Sequence, residues 1–142
     1  MPWIGYFALM HSVNKFVILD NVQFEKRSWQ QRNKILLNNK ELFLTVPVKN
    51  INLRNSKLSE VQISTDHKFE NKHIDSLKHA YNKSKFYNEY AKDLNKIINN
   101  KYKFLIDLNL SIITNFMKIF KINTELLLAS SLKTKLKKDL LM

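Results

Sequence analysis

The sequence predicts an α/β fold: a small mixed sheet with a buried central strand, an antiparallel hairpin and packed helices, incomplete at both termini. The apolar run Phe16–Leu19, ended by Asp20, is typical of a strand covered on both faces. Alternating apolar residues on either side of Asn38–Lys40 indicate a hairpin, because asparagine tolerates the left-handed backbone of tight turns. After Lys68 the apolar residues recur at helical spacing, which indicates packed helices.

The N-terminal residues predict a short helix that ends at Ser12. Pro2 suits the first helical position, where its missing N–H has no partner in any case. Trp3, Phe7 and Met10 follow at spacings of four and three, as the apolar face of a helix requires.

A polar stretch, Asp20–Gln31, follows the predicted central strand. Val22, Phe24 and Trp29 are expected to anchor it to the body of the fold. In α/β proteins, ligands bind just beyond the carboxyl ends of the strands. The polar side chains of this stretch therefore predict a binding site.

The hairpin is predicted to pair Asn33–Leu37 with Glu41–Val48. Alternation along the second strand places Phe43 and Thr45 on one face and apolar side chains on the other. A further short strand is predicted at Glu60–Ile63. The apolar face of the second hairpin strand comprises Leu42, Leu44, Val46 and Val48.

Three helices and a final strand are predicted in the second half of the chain. The first helix begins near Lys68, where Thr65 or Asp66 is a suitable cap. Four residues spaced by four follow one another along one side of this helix: Phe69, His73, Leu77 and Tyr81. The remaining elements are the helices Tyr87–Lys101 and Phe104–Lys121 and the strand Glu125–Ala129.

The composition indicates one globular domain. The 142 residues, 44% apolar and 11% aromatic, are enough for a core. We assign residues 1–132 to that domain and expect the charged residues 133–142 to form a disordered tail. No run approaches 18 consecutive apolar residues, and the apolar N-terminal residues contain neither a basic leader nor a small-residue cleavage site, so neither a transmembrane segment nor a signal peptide is predicted. The absence of cysteine fits a cytoplasmic location.

The net charge of +12 does not by itself predict a specific nucleic acid as partner. The lysines are spread along the chain, except in Lys133–Lys138, and no RNA-recognition or zinc-finger signature is present. The single glycine, Gly5, cannot build a P-loop or a dinucleotide-binding loop, so no cofactor is predicted. No oligomeric state follows from the sequence.

The arginines indicate an anionic small molecule or a nucleotide sugar as ligand. The chain has twenty-one lysines but only three arginines, Arg27, Arg32 and Arg54. Two of these, Arg27 and Arg32, nevertheless lie shortly after the central strand. Guanidinium binds carboxylate or phosphate at two points, which ammonium cannot copy. The alternative is two solvated charges flanking the hairpin. The candidate substrate-binding residues are Gln23, Lys26, Arg27, Trp29, Arg32, Asn33 and Tyr81, with Lys34 beside them.

Several of these candidates have a structural alternative. Asp20 and Gln23 either bind sugar hydroxyls or an amine, or cap neighbouring backbone groups. Trp29 and Tyr81 either stack on a sugar ring or nucleobase, or pack in the core. The sequence leaves both alternatives open.

The candidate catalytic residues are His73 and Asp20. His73 shares the apolar side of its helix, so it faces the interior or a cleft. It is either a hydrogen-bonded core histidine or a general base or acid, with Asp20 or Glu70 orienting its imidazole. His67, His73 and His79 are spaced by six and fall on different helix faces, so no metal site is predicted.

Six segments share their order and their residues with one known family. They are PWIGYF at Pro2–Phe7, FVILDNVQFEKRSW at Phe16–Trp29, QRNKI at Gln31–Ile35, LTVPV at Leu44–Val48, KH at Lys72–His73 and the run Tyr81–Phe86. These segments resemble the WbqC-like protein family, and the resemblance covers nearly the whole chain.

The resemblance implies a role in the biosynthesis of bacterial surface polysaccharide, because members of that family are associated with O-antigen (lipopolysaccharide) gene clusters. We expect a transferase that moves an acyl or aminoacyl group to an amino sugar carried on a nucleotide or lipid diphosphate. The alternatives are a non-catalytic binding or assembly protein of the same pathway and a basic nucleic-acid-binding module. Family members begin with an additional strand and continue beyond Ser130–Leu132, so the chain is expected to be a fragment.

Overall fold

The computed structural model describes residues 1–49, 55–66 and 68–132, and it confirms the predicted α/β class. The predicted tail, residues 133–142, lies outside the described residues. Short 3-10 turns are present at Leu58–Glu60 and Ala129–Ser131. The helices of the described ranges are α1 (Ile4–His11), α2 (Phe69–Tyr81), α3 (Tyr87–Asn99) and α4 (Leu105–Ile119), and the strands are β1 (Lys15–Ile18), β2 (Arg32–Leu37), β3 (Lys40–Thr45) and β4 (Glu125–Leu128).

The strand β1 pairs in parallel with β4 along its whole length. Ile18 is buried, but Val17 and Leu19 are 39% and 51% exposed. The expectation of a buried central strand, covered on both faces, is therefore wrong for the described residues. Within them β1 pairs with β4 alone, and only its Ile18 face packs on the core. The strand also begins and ends one residue earlier than predicted.

The strands β2 and β3 form the predicted antiparallel hairpin. Asn38 (φ 51°) and Asn39 (φ 60°) both adopt the left-handed conformation that a type I′ turn requires. Leu44 is buried while Phe43 and Thr45 are exposed, which confirms the predicted faces. Since the hairpin is hydrogen-bonded separately from β1 and β4, the predicted single sheet is two two-stranded sheets in the described residues.

The further strand predicted at Glu60–Ile63 is wrong. Glu60 ends a 3-10 turn, and only single bridges follow. Gln62 bridges Phe104, and Ile63 bridges Val48. The segment therefore joins the end of the hairpin to the residues that precede α4.

The helix boundaries agree with prediction to within two residues. Trp3 is the N-cap of α1, so Pro2 lies before the helix rather than at its first position. The start of α2 agrees, but no side chain caps it, and Asp66 instead accepts a hydrogen bond from the Ser64 hydroxyl (2.9 Å). The helices α3 and α4 each end two residues earlier than predicted.

The helix α4 contributes more buried side chains than any other described helix. Leu105, at its start, has no exposed surface. Met10 of α1 and Val46 after β3 are equally buried and belong to the same apolar cluster. This packing holds α1, the hairpin and α4 together. The buried residues of α4 are Leu105, Ile106, Leu108, Asn109, Ile112, Ile113 and Met117.

Candidate functional site

His73 lies on the buried side of α2, as predicted. Its Nε2 atom is 3.2 Å from the carbonyl oxygen of Thr45, at the end of β3. When Nε2 carries the proton it donates to that oxygen, and the lone pair of the neutral ring is then on Nδ1. The ring also meets the Phe69 ring edge-on, with 5.2 Å between the centroids. These two contacts hold the imidazole between α2 and the hairpin.

Burial lowers the pKa of His73 below its usual value of 6.5, because the charged imidazolium would lose its hydration. The hydrogen bond to Thr45 and the Glu70 carboxylate act against this effect, and Lys72 reinforces it. The pKa is lowered overall, so the imidazole is neutral at pH 7. A neutral imidazole has a lone pair with which to accept a proton from a substrate.

An apolar cavity of about 240 Å³ borders His73. Its walls come from the N-terminal residues, the hairpin and the helices α2, α3 and α4. Asn33 lies on the hairpin side, where its Nδ2 atom donates to the carbonyl oxygen of Pro2 (2.6 Å). The hydrocarbon lining suits an aliphatic group rather than a charged one. Its apolar side chains include Phe7, Leu44, Leu77, Ile98, Ile112 and Phe116.

A larger cleft, of about 440 Å³, is bordered by Phe69. The carboxylate in its lining is Glu70, which lies 3.6 Å from the Lys101 ammonium. The Lys49 ammonium donates to Gln62 Oε1 (3.1 Å). Four ammonium groups against one carboxylate give this lining a positive excess, which suits a phosphate or another anion. We call this site the lysine cleft; its lysines are Lys49, Lys68, Lys101 and Lys103.

The lysine cleft is assembled from three segments: the residues that follow the hairpin, the residues from Gln62 to the start of α2, and the turn before α4. Two backbone hydrogen bonds join them, from Lys49 N–H to the Gln62 carbonyl and from Ile63 N–H to the Lys103 carbonyl (both 3.0 Å). Phe69 lines the cleft and touches His73, which lines the apolar cavity. The two sites therefore meet at one contact between rings.

A match to the WbqC-like protein family spans residues 1–142, which include every residue of both sites. The chain belongs to this family. It is 44% identical over 48 residues to the uncharacterized protein Rv1507c of Mycobacterium tuberculosis (strain ATCC 25618 / H37Rv). That match covers 34% of this chain and 21% of the relative, so the chain spans about a fifth of that protein. No solved structure matches the chain.

In this WbqC-like chain Asp20 makes the contacts of a capping residue. It is 2% exposed, its Oδ1 accepts the backbone N–H of Ser130 (2.8 Å), and its Oδ2 accepts the Ser130 hydroxyl (2.5 Å). No hydrogen bond joins Asp20 to His73 in the described part of the chain. The predicted pairing of Asp20 with the imidazole is therefore replaced by a link between the ends of β1 and β4.

The two predicted anion-binding arginines lie in different surroundings. Arg32 is on the outer face of the hairpin, with its guanidinium carbon 4.3 Å from the centre of the Phe43 ring. Arg27 is exposed in the turn before β2, in a left-handed conformation (φ 62°), and its N–H donates to the Gln31 side chain (2.8 Å). Neither borders the apolar cavity or the lysine cleft. That the two bind one anion stays a prediction.

The other candidate residues are distributed over several sites. Asn33 borders the apolar cavity. Trp29 is half exposed rather than buried in the core, and Tyr81 is partly exposed at the end of α2. Gln23 forms a backbone bridge with Lys57 after β1, and Lys26 is exposed in the turn that contains Arg27. The structure thus brings His73, Asn33 and Lys34 together around that cavity and leaves the other candidates outside it.

The lysine cleft was missed because lysines far apart in the sequence converge only in the fold. The alternation of Lys101 and Lys103 before a helix is the one local signal. Within the described ranges, no three histidine or acidic side chains come close enough together to hold a metal ion. No helix in those ranges is both long and apolar enough to cross a membrane.

Proposed function

We propose that the protein acts in the biosynthesis of bacterial surface polysaccharide (O-antigen or lipopolysaccharide), transferring an acyl or aminoacyl group to an amino sugar carried on a nucleotide or lipid diphosphate. The polysaccharide role rests on the resemblance to the WbqC-like family. The observation that carries the reaction type is the position of His73, which borders the apolar cavity and contacts Phe69 of the lysine cleft, while burial lowers its pKa. On this proposal the protein works in the cytoplasm, where nucleotide-linked sugars are made.

The apolar cavity suits the hydrocarbon part of an acyl group, and the lysine cleft suits the diphosphate of the acceptor. Between them, His73 accepts a proton from the amine of the sugar as its nitrogen attacks the acyl carbonyl. A C–N bond forms and the C–S or C–O bond to the acyl carrier breaks. The proton then passes from His73 to the departing thiolate or alkoxide. The co-reactant is an activated acyl donor, a thioester or an ester.

Acceptor-dependent turnover tests the proposal. The protein is incubated with p-nitrophenyl butyrate as donor and uridine diphosphate glucosamine as acceptor, and the N-butyryl sugar is detected by mass spectrometry. We expect the release of p-nitrophenol to rise when the acceptor is added. Binding of the acceptor without release above the background would contradict transfer and favour a non-catalytic binding protein.

Charge reversal in the lysine cleft is expected to weaken the binding of uridine diphosphate. In the double variant Lys68→Glu/Lys103→Glu, two cations of the cleft become anions, and each lost charge-assisted hydrogen bond costs enough to lower the affinity about tenfold or more. Isothermal titration calorimetry at 0.15 M salt measures the change.

The matched control is Arg27→Glu/Arg32→Glu, which makes the same change of charge outside the cleft. We expect it to leave the affinity within about twofold, because surface charges at a distance are screened at this ionic strength. A loss confined to the arginine variant would place the anion at the arginine pair and contradict the assignment to the lysine cleft.

A further inference from the structure

A third cavity, of about 190 Å³, shares Met1 and Pro2 with the apolar cavity but is not bordered by His73. Its walls come from the start of α1, the turn before β2 and the middle of α4. The chain has two tryptophans, Trp3 and Trp29, and both line this cavity. Each indole is half exposed, so the cavity opens to solvent between aromatic side chains. We call it the indole pocket. Its lining also includes Tyr6, Ile18, Ile106, Asn109 and Ile113.

Asn109 lines the indole pocket and has a buried acceptor atom without a partner. The residue is 6% exposed, and its Nδ2 atom donates to the carbonyl oxygen of Gln30 (2.9 Å). This hydrogen bond fixes the orientation of the side-chain amide. Its Oδ1 atom is buried and has no donor among the described residues. A buried acceptor without a partner is unfavourable, so a bound molecule whose N–H or O–H reaches this atom would gain a hydrogen bond.

The single glycine of the chain helps to form the pocket. A Cβ atom added at Gly5 would lie 2.2 Å from two atoms of the Trp3 indole. Only glycine therefore allows the indole to lie against the first turn of α1. Because Trp3 borders the pocket, this close approach shapes its opening.

We propose that the indole pocket binds a ligand built on one six-membered ring, with apolar faces and an N–H or O–H donor on the edge that meets Asn109 Oδ1. The size fits, since an engineered cavity of about 150 Å³ in another protein holds benzene. Indole side chains pack well against the flat faces of aromatic rings and against the C–H faces of sugars. A phenol-like ring and an amino sugar share this chemistry. The inference goes beyond acyl transfer and does not depend on it, because His73 does not line the pocket.

Tryptophan fluorescence reports directly on this pocket, because no tryptophan lies elsewhere in the chain. Three probes are titrated: phenol, toluene and glucosamine. Toluene matches phenol in size but has no donor. We expect a saturable change in emission with phenol or glucosamine, and an affinity for phenol about tenfold or more above that for toluene.

Two variants on α4 test the role of the acceptor. Asn109→Leu removes it and is expected to abolish the difference between phenol and toluene. Asn115→Leu is the matched control: Asn115 also has a buried amide atom without a partner, but it does not line the pocket. In that variant the preference for phenol is expected to persist.

The response to the probes also identifies the source of the ring. Saturation by phenol but not by glucosamine assigns an aromatic ligand, and the reverse assigns a sugar. The proposal is overturned if neither phenol nor glucosamine gives a saturable change. It is also overturned if phenol does saturate but toluene binds the unmodified protein equally well. The comparison of phenol with toluene on the unmodified protein tests the proposal even if Asn109→Leu does not fold.

Discussion

Replacing His73 with glutamine is expected to lower the rate of acyl transfer by about 100- to 10,000-fold, the contribution typical of a general base. Glutamine keeps a donor for the Thr45 carbonyl, which His73 meets at 3.2 Å, but it has no lone pair basic enough to accept a proton. The release of p-nitrophenol from the butyrate ester in the presence of uridine diphosphate glucosamine measures the loss. Circular dichroism and thermal unfolding of the variant show whether the fold is kept.

His79→Gln is the matched control, because His79 lies on the same helix and is exposed. It is expected to transfer at the normal rate. Equal rates in the two variants would remove His73 from the mechanism. Loss of activity through unfolding alone would appear as a lower melting temperature in the His73 variant.

The lowered pKa of His73 sets the expected pH profile. Because the pKa of His73 is lowered below 6.5, the rate limited by this base should fall only when the pH drops below 6.5 towards the folded pKa, where the ring becomes protonated. The same shift affects stability: the unfolded chain binds a proton at His73 more readily than the folded chain below pH 6.5. The unfolding free energy therefore decreases as the pH falls below 6.5 towards the folded pKa, and the His73→Gln variant lacks this part of the decrease.

The parts of the fold that could be predicted are those encoded by local chemistry. Asn38 and Asn39 adopt the left-handed turn that their side chains tolerate, so the hairpin and its faces follow from the sequence. The spacing of apolar residues likewise locates α2 and places His73 on its buried side. In contrast, the apolar run that became β1 carries no signal for how many strands will flank it, and Val17 and Leu19 are exposed in consequence.

The candidate site depends on contacts between distant segments, and these were harder to predict. The lysine cleft requires Lys49 to meet Lys103 through Gln62 and Ile63, a convergence set by single backbone bridges rather than by any repeating pattern. The sequence shows that Asp20 follows β1, but not that it bonds to Ser130, which is 110 residues away in the sequence. The polar residues could be recognised in the sequence, but which of them pair with one another is decided by the tertiary structure.

Asp20→Ala is expected to lower the unfolding free energy by about 3 kcal/mol, because hydrogen bonds to a charged group each contribute about 1.5 to 3 kcal/mol and both carboxylate oxygens bond to Ser130. The substitution also leaves the backbone N–H of Ser130 without its acceptor. Urea unfolding followed by circular dichroism gives the change. Ser130→Ala removes only the hydroxyl bond and should cost about half as much, so a double-mutant cycle isolates the contribution of the pair.

Asp66→Ala provides the matched control, since Asp66 also accepts a hydrogen bond from a serine hydroxyl, that of Ser64, but is itself exposed. Its loss is expected to cost less than about 1 kcal/mol, because water replaces the missing partner. Hydrogen exchange adds a local test. Asp20 and Ser130 follow the two strands of the parallel pair, so the amides of β4 should lose protection in Asp20→Ala and keep it in Asp66→Ala. Equal stability in the two variants would show that burial gives the Asp20–Ser130 contact no advantage over an exposed one, and the parallel pair would then depend on its backbone ladder and the Ile18 face alone.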